Sequence, residues 1–371
     1  MTSELSIFAA RLREHIGIWC EELASSPGAD DPHLARHADV EFNGLALMLF
    51  TLQFAHNEPY RKLCTARGVT PSDVTHWPQI PTVPTAAFKE FEMTSLSPED
   101  RTRVFHSSGT TAQQPSQHFH NAETLKVYEA SLWPWLRENL RFTIADLQLL
   151  SFTPPARQVP HSSLVHMFDY ARQKMGADER AFVGRVGTDG VWTVDFGAAL
   201  AALKQPGDKP LLVVGTAFSF VHLLDELVAQ NLRLQLPAES RVLETGGYKG
   251  RSRTMPKVEL HSLITKHLGV PMSHIICEYG MSELSSQAYQ SLKRDRAFRF
   301  PPWARARVIS AETGNEVSDG ETGILSIVDL ANVFSVMAIQ TEDLAVRCGD
   351  GFELLGRAAM AVPRGCSLTA A

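Results

Sequence analysis

Apolar positions near the N-terminus fall on Leu5, Phe8, Leu12, Ile16, Trp19 and Leu23, three or four residues apart. That spacing puts them on one face of an amphipathic helix and predicts that the face packs on the body of the protein. The segment SSPGADDPH interrupts the pattern before a second helical stretch, apolar through Leu45, Leu47, Met48, Leu49, Phe50 and Leu52. Pro78, Pro81 and Pro84 each lack an N–H and restrain the residue before them, so Trp77–Pro84 reads as a rigid extended connector. From about residue 120 helical stretches alternate with short β-type runs, LQLLSF at 147–152, PLLVVG at 210–215, RVLETGG at 241–247 and HIICEYG at 274–280. Between the last three lie FSFVHLLDELVAQ and PKVELHSLITKHL, both amphipathic at helical spacing. Strand, helix, strand, helix, strand predicts crossover units and a largely parallel sheet buried on both faces, with sites collecting at the carboxyl ends of its strands. After Pro301-Pro302 the helical period fades, and ARARVIS, GILSIVDL, SVMAI and LAVR read as short strands of a β-rich terminal lobe. The division expected is an N-terminal helical region at 1–75, an α/β core at 76–300 and the β-rich lobe at 301–371, with no internal repeat.

A length of 371 residues, 44% hydrophobic and 20% charged, excludes disordered, collagenous and coiled-coil classes. The net charge of −6 supplies no basic field, so nucleic acid is not an expected partner. The five cysteines, Cys20, Cys64, Cys277, Cys348 and Cys366, are odd in number and without CxxC spacing, which reads as reduced thiols and a cytoplasmic location. The opening residues mix Glu4, Arg11 and Arg13 among apolar positions, and no window of about 18 apolar residues exists, so neither a secretory leader nor a membrane span is expected.

Three short elements carry candidate chemistry. His106-Ser107-Ser108-Gly109-Thr110-Thr111 follows the possible strand RTRVF. Its hydroxyls and glycine suit a backbone closing around a polyphosphate, and equally a polar loop or a Ser/Thr helix cap; the GK[ST] of a Walker A loop is missing. Cys277-Glu278-Tyr279-Gly280-Met281-Ser282-Glu283 ends a buried-type strand. Glu283 there is either a Mg²⁺ ligand beside phosphates, since that hard ion takes oxygen donors, or a surface acid. Gln340-Thr341-Glu342-Asp343-Leu344, followed by Gly356-Arg357, puts an acid at the start of a strand and a cation beyond a turn. Asp343 can accept from ribose hydroxyls and Arg357 can meet a phosphate or ribose oxygen.

In this order the three elements resemble the adenylate-forming superfamily. More narrowly, PTVPTAAFKEFEMTS at 81–95, SSGTT at 107–111, ETGGYKG at 244–250 and RGCSL at 364–368 resemble the bacterial acyl-protein synthetases, the long-chain-fatty-acid luciferin-component ligases, over residues 75–371. The resemblance implies the large-domain fold of that superfamily, α/β with mostly parallel sheets. It implies ATP and Mg²⁺ as cofactors, and activation of a carboxylic acid, fatty in this branch, to an acyl-adenylate followed by transfer to a thiol. It implies Ser107, Ser108, Gly109, Thr110, Thr111, Gly246, Gly247, Tyr248, Tyr279, Gly280, Ser282 and Asp343 as nucleotide-binding, with Glu283 holding the metal and Glu283, Arg357 and Cys366 catalytic. Gly246 and Gly247 would let adenine approach the backbone, and Tyr248 or Tyr279 could stack on it.

Larger members carry a C-terminal domain of about 100 residues with a catalytic lysine. This sequence ends fourteen residues after Arg357, so that domain is expected to be absent. In the same branch a cysteine near the C-terminus accepts the acyl group, and Cys366 stands there; Cys277, in an apolar strand, reads as a core thiol. The pattern departs from the superfamily where Ala112 and Gln117 replace a glycine and a basic residue after the loop. Lys89, Lys249 or Arg251 could replace the missing cation, and His106 could meet a phosphate or be a satisfied buried histidine. The expected function is thus ATP-dependent acyl-protein synthesis with delivery to a partner such as an acyl reductase or carrier protein. The alternatives are an acyl-CoA or carrier-protein ligase of phenylacetate type and a catalytically decayed nucleotide-binding scaffold. Segments 131–136 (SLWPWL) and 215–224 (GTAFSFVHLL) could line an acyl tunnel or be ordinary core.

Overall fold

A computed structural model of the chain describes residues 3–25, 32–107, 114–141, 147–188, 190–205, 207, 209–247, 253–291 and 297–357. The first amphipathic stretch forms α1 (Glu4–Ser25), which buries Leu5, Phe8, Leu12, Ile16 and Trp19, while Leu23 leaves the stripe and is 37% exposed. α2 (Pro32–His56) buries Leu45, Leu49 and Phe50. α3 (Glu58–Ala66) starts at Asn57, whose side chain accepts the Tyr60 N–H, satisfying an N–H that the helix itself leaves without a partner. The proline-rich connector becomes one short 3₁₀ turn at Trp77–Gln79 and a two-residue strand, β1 (Val83–Pro84), before α4 (Ala87–Glu90).

A hairpin of β2 (Arg103–His106) and β3 (Gln117–His120) precedes α5 (Ala122–Leu140), capped by the Asn121 side chain. Then follow β4 (Gln148–Ser151), α6 (Ser163–Lys174), the small hairpin β5 (Gly184–Val186) and β6 (Trp192–Val194), and α7 (Phe196–Lys204). The predicted crossover units are β7 (Leu211–Thr216), α8 (Ala217–Ala229), β8 (Arg241–Thr245), α9 (Lys257–Leu268) and β9 (Ile275–Tyr279). The chain goes on through β10 (Ala288–Ser291), β11 (Phe298–Arg299), β12 (Ala304–Ile309), β13 (Thr322–Asp329), β14 (Ala338–Cys348) and β15 (Gly351–Arg357).

One eleven-stranded sheet runs β12-β13-β14-β15-β11-β10-β9-β8-β7-β4, with β1 added in parallel beside β14. β4, β7, β8 and β9 pair in parallel, and β9 through β12 along the order pair antiparallel. Side chains alternate across the parallel block, as a period of two requires. Leu211, Val213, Val242 and Ile275 pack against α7, α8 and α9, while Leu212, Val214, Leu243 and Ile276 pack against α5 and α6. Each large apolar side chain so covered contributes about 1.5–3 kcal/mol relative to exposure. A third core joins α1, α2 and α3 to β12–β14, where Trp19 stacks on Trp303.

Only Ala338 and Ile339 of SVMAI are strand, and they join LAVR, expected as a separate strand, in one element: β14 runs from Ala338 to Cys348. The polar residues between them do not interrupt it. Thr341 is buried and donates its hydroxyl to Leu325 O at 2.8 Å, so a polar residue inside the ladder is satisfied by the neighbouring strand. Among the described residues no helix is long and apolar enough to cross a membrane.

Candidate active site at the strand ends

The carboxyl ends of β8 and β9 lie side by side, with Thr245 opposite Glu278 in register. Gly246 continues from β8 at φ +67°, a conformation that favours glycine, and both Gly246 and Gly247 are exposed with open space where a Cβ would stand. Gly280 follows β9. A Cβ there would meet the Glu278 carboxylate, so glycine leaves the room that this acid occupies.

Beyond Gly280 the chain turns inward, and Ser282 and Glu283 are both buried. Ser282 donates to the Glu283 carboxylate at 2.9 Å. The β2–β3 hairpin reaches the same place: the Ser116 hydroxyl lies 3.4 Å from that of Ser282, and His118 Nδ1 is 2.8 Å from Ser282 O. Because a carbonyl only accepts, that nitrogen carries the proton. Burial pushes the His118 imidazole down to about 4, so it stays neutral. At the mouth of the hairpin Ser107 accepts from the Ser116 N–H at 3.0 Å and gives its own N–H to Ser116 O at 3.3 Å. The loop carried by this base, with Ser108, Gly109, Thr110 and Thr111, lies outside the described residues, as do Tyr248, Lys249, Arg251 and Cys366.

The turn at 281–287 is anchored by Asp329. Its carboxylate accepts the N–H groups of Ser285, Ser286 and Ala331 and the Ser286 hydroxyl, at 2.7 to 3.0 Å. Ser286 also meets Ser131 of α5, which accepts from Trp303 Nε1. Asn332 donates to Glu283 O at 2.8 Å and accepts from the Ser285 hydroxyl at 2.7 Å.

On the far side of β9, Tyr279 is buried with its ring against Phe298, Phe300 and Phe352, and its hydroxyl donates to Asp343 at 2.7 Å. Its ring is thus engaged by protein, and what it offers the site is its hydroxyl contact. Asp343 was expected at the start of a strand; it stands within β14, opposite Arg357 in β15. The Arg357 guanidinium is 80% exposed and 4.0 Å from the Asp343 carboxylate. Burial raises the Asp343 carboxyl, with Tyr279 and Arg357 pulling the other way.

Glu278, Thr245, His118, Ser116, Asp329 and Asn332 were not singled out from the sequence. The Glu278 carboxylate is buried, accepts from the Thr245 hydroxyl and is pushed up to about 7, by burial first and by Glu244. Its signal was available: an acid inside the otherwise apolar run HIICEYG, as Glu244 is inside RVLETGG. His106 is half-buried against His161, its Nδ1 buried without a partner among the described residues. The two segments considered for an acyl tunnel pack on opposite faces of the sheet: Leu132 and Leu136 on the α5 side, Phe220, Leu223 and Leu224 on the α8 side.

These features coincide with an adenylate-forming fold. The chain superposes on 2-hydroxyisobutyryl-CoA ligase in complex with 2-HIB-AMP and CoA with a TM-score of 0.66 at 13% identity, covering 87% of this chain and 69% of that one. The postadenylation state of the same ligase gives 0.64 at 13% identity, covering 86% and 68%. In sequence the chain is 23% identical over 304 residues to the long-chain-fatty-acid–luciferin-component ligase of Aliivibrio fischeri, which is 80% of this chain and 76% of that protein. The family described as acyl-protein synthetase, LuxE, matches residues 37–371. The chain therefore belongs to the LuxE acyl-protein synthetases: it is an AMP-forming acid ligase that activates a carboxylic acid as its acyl-adenylate.

Proposed function

We propose that the acid is a fatty acid and that the acyl group passes from the adenylate to Cys366, for delivery to a second protein such as an acyl reductase or an acyl carrier. The observation that carries the site assignment is the meeting of the hairpin base with the turn after β9. Ser107 and Ser116 hold the ends of the hydroxyl-rich loop within hydrogen-bond reach of Ser282, which in turn holds Glu283. The base of the loop proposed to cradle phosphates thus meets the turn that carries an acid suited to a divalent cation.

Glu283 fits Mg²⁺ by its chemistry. It is a hard oxygen donor, buried, restrained on one oxygen by Ser282 and in no ion pair among the described residues. When bound, Mg²⁺ neutralises charge on the pyrophosphate that leaves. The chain's own residues do the rest. Ser107, Ser108, Gly109, Thr110 and Thr111 bind the phosphates, with Ser282 supporting Glu283. Gly246, Gly247 and Gly280 leave the strand ends open to adenine, Tyr248 stacks on it, and Tyr279 holds Asp343 for the ribose hydroxyls. Arg357 reaches the ribose or phosphate from β15. In the first step a carboxylate oxygen of the acid attacks the α-phosphorus of ATP and the bond to pyrophosphate breaks. In the second, the Cys366 thiolate attacks the acyl carbon, AMP leaves, and the thiol proton has gone to solvent. The segments 1–75, 76–300 and 301–371 serve as a helical support, the nucleotide-binding core and a lobe bearing the acceptor tail.

The test is the intact mass of the protein after incubation with ATP, Mg²⁺ and a panel of fatty and aryl acids, beside Cys366→Ala. One added acyl group, removed by hydroxylamine and absent from the variant, is the expected result. An acyl group gained only on added coenzyme A, or a mass gain that persists in Cys366→Ala, overturns the assignment of the acceptor.

A further inference from the structure

Beneath the nucleotide site, on the face of the sheet opposite Glu278, lies a second buried cluster that the reaction does not use. Glu244 of β8 and Cys277 of β9 are register partners, and His261 of α9 lies over both. All three are buried: Glu244 is 0% exposed, Cys277 1% and His261 3%. Cys277 Sγ is 3.1 Å from Glu244 Oε2, Cys277 Sγ is 3.6 Å from His261 Nε2, and His261 Nε2 is 3.6 Å from Glu244 Oε2. The second Glu244 oxygen, Oε1, is buried with no hydrogen-bond partner among the described residues. Among the described residues this is the one group of three such side chains whose ligand atoms all lie within 4.8 Å of one another.

We propose that Glu244, His261 and Cys277 form a binding site for a thiophilic divalent cation of the zinc class. A tetrahedral ion with bonds of about 2.3 Å to sulfur and about 2.0–2.2 Å to nitrogen and oxygen has its ligand atoms about 3.4–3.6 Å apart, which matches the two 3.6 Å spacings and asks the 3.1 Å sulfur–oxygen pair to part by about 0.5 Å. A thiolate and an imidazole select zinc over magnesium or calcium. The charges close as well: a carboxylate, a thiolate and a neutral imidazole sum to −2 and cancel a divalent cation, with the Cys277 proton released to solvent. In this structure the Lys257 ammonium, 3.7 Å from Glu244 Oε2, stands in for the cation, and its side chain is 40% exposed. Its departure to solvent opens the way in and leaves the fourth position to water. A bound ion ties β8, β9 and α9 together just below Gly246 and Gly280.

The test uses the full chain, stripped with a chelator, dialysed and titrated with Co²⁺ alone. A thiolate-to-cobalt charge-transfer absorption that saturates at one equivalent and is displaced by Zn²⁺ is expected. It should persist in Cys366→Ala, vanish in Cys277→Ala, weaken by about tenfold or more in His261→Asn, and strengthen in Lys257→Met. X-ray absorption of the zinc-loaded, unmutated protein should show one sulfur and otherwise nitrogen or oxygen neighbours, which decides the question even if Cys277→Ala does not fold. No charge-transfer band, a band that survives in folded Cys277→Ala, or a zinc shell with no sulfur or with two overturns the proposal.

Discussion

Tyr279 at the carboxyl end of β9 and Asp343 in β14 meet through a 2.7 Å hydrogen bond that spans 64 residues of sequence. It joins the parallel block that ends in the glycine turns to the antiparallel block that carries Arg357. Removing it therefore acts on the geometry of the site and on the charge of Asp343 together.

In Tyr279→Phe the Asp343 carboxyl, already raised by burial, loses a donor that favours its ionised form and rises further. If ionised Asp343 binds ribose, the acid limb of the pH–rate profile for adenylation moves to higher pH. Stability falls by about 2 kcal/mol, the scale of a hydrogen bond to a charged group. A pH profile superimposable on that of the unaltered protein would remove Asp343 from the nucleotide site.

Glu278 binds its proton more tightly folded, at about 7, than the ordinary 4.5 of the unfolded chain. The folded state therefore has this group's full stability below about pH 4.5, loses it progressively up to about pH 7 and carries a constant penalty above. Glu278→Gln keeps an acceptor for Thr245 without the charge. Urea denaturation at pH 8 should find it more stable by a few kcal/mol at most, about 1.4 for each unit of displacement, with the difference gone at pH 4.5.

His118 runs the other way. Its folded value of about 4 lies below the ordinary 6.5, so its contribution is present above pH 6.5 and is lost as pH falls towards 4. His118→Asn retains a donor for Ser282 O and cannot charge. Its stability should decline less between pH 6.5 and 4.5 than that of the unaltered protein, while His118→Ala should be weaker at every pH because a buried carbonyl loses its donor.

Asp329→Ala strands three backbone N–H groups and a serine hydroxyl in the interior. A loss of about 3–5 kcal/mol is expected by denaturant unfolding, as for breaking a buried charged network. Activity of the folded fraction should fall too, since Ser282 and Glu283 sit on the turn that Asp329 anchors. Full activity in a destabilised variant would separate the anchor from the chemistry.

The crossover strands and helices were legible because β7, β8 and β9 carry apolar side chains on both faces, and the two connecting helices keep a clean period. Their edges fell within a few residues of the expected ones, and Gly246 and Gly280 marked where the strands stop. The contacts that assemble the site were not legible. His118 and Ser282 are 164 residues apart, and the HFH of β3 carries no mark saying that one histidine faces a serine carbonyl while the next meets Thr124. SVMAI and LAVR read as two strands, with the polar run Gln340, Thr341, Glu342 and Asp343 lying between them in the sequence. Only the partner strand shows that Thr341 is satisfied in place.

All the residues assigned to nucleotide or acyl chemistry lie at or after Ser107, which invites the view that the first hundred residues are an accessory. The seating of β1 says otherwise. Val83 and Pro84 lie against Ile339 and Gln340, Thr85 N–H donates to Gln340 O, and Tyr60 and Arg67 fix the connector through the carbonyls of Pro81 and Thr82. A piece cut to begin near the loop would expose an open strand edge beside the buried Val336, Met337 and Ile339, a template for pairing with another copy. Such a fragment would be prone to self-association, and fusions or split versions of this enzyme should keep the N-terminal helices and β1 on the same polypeptide as β14.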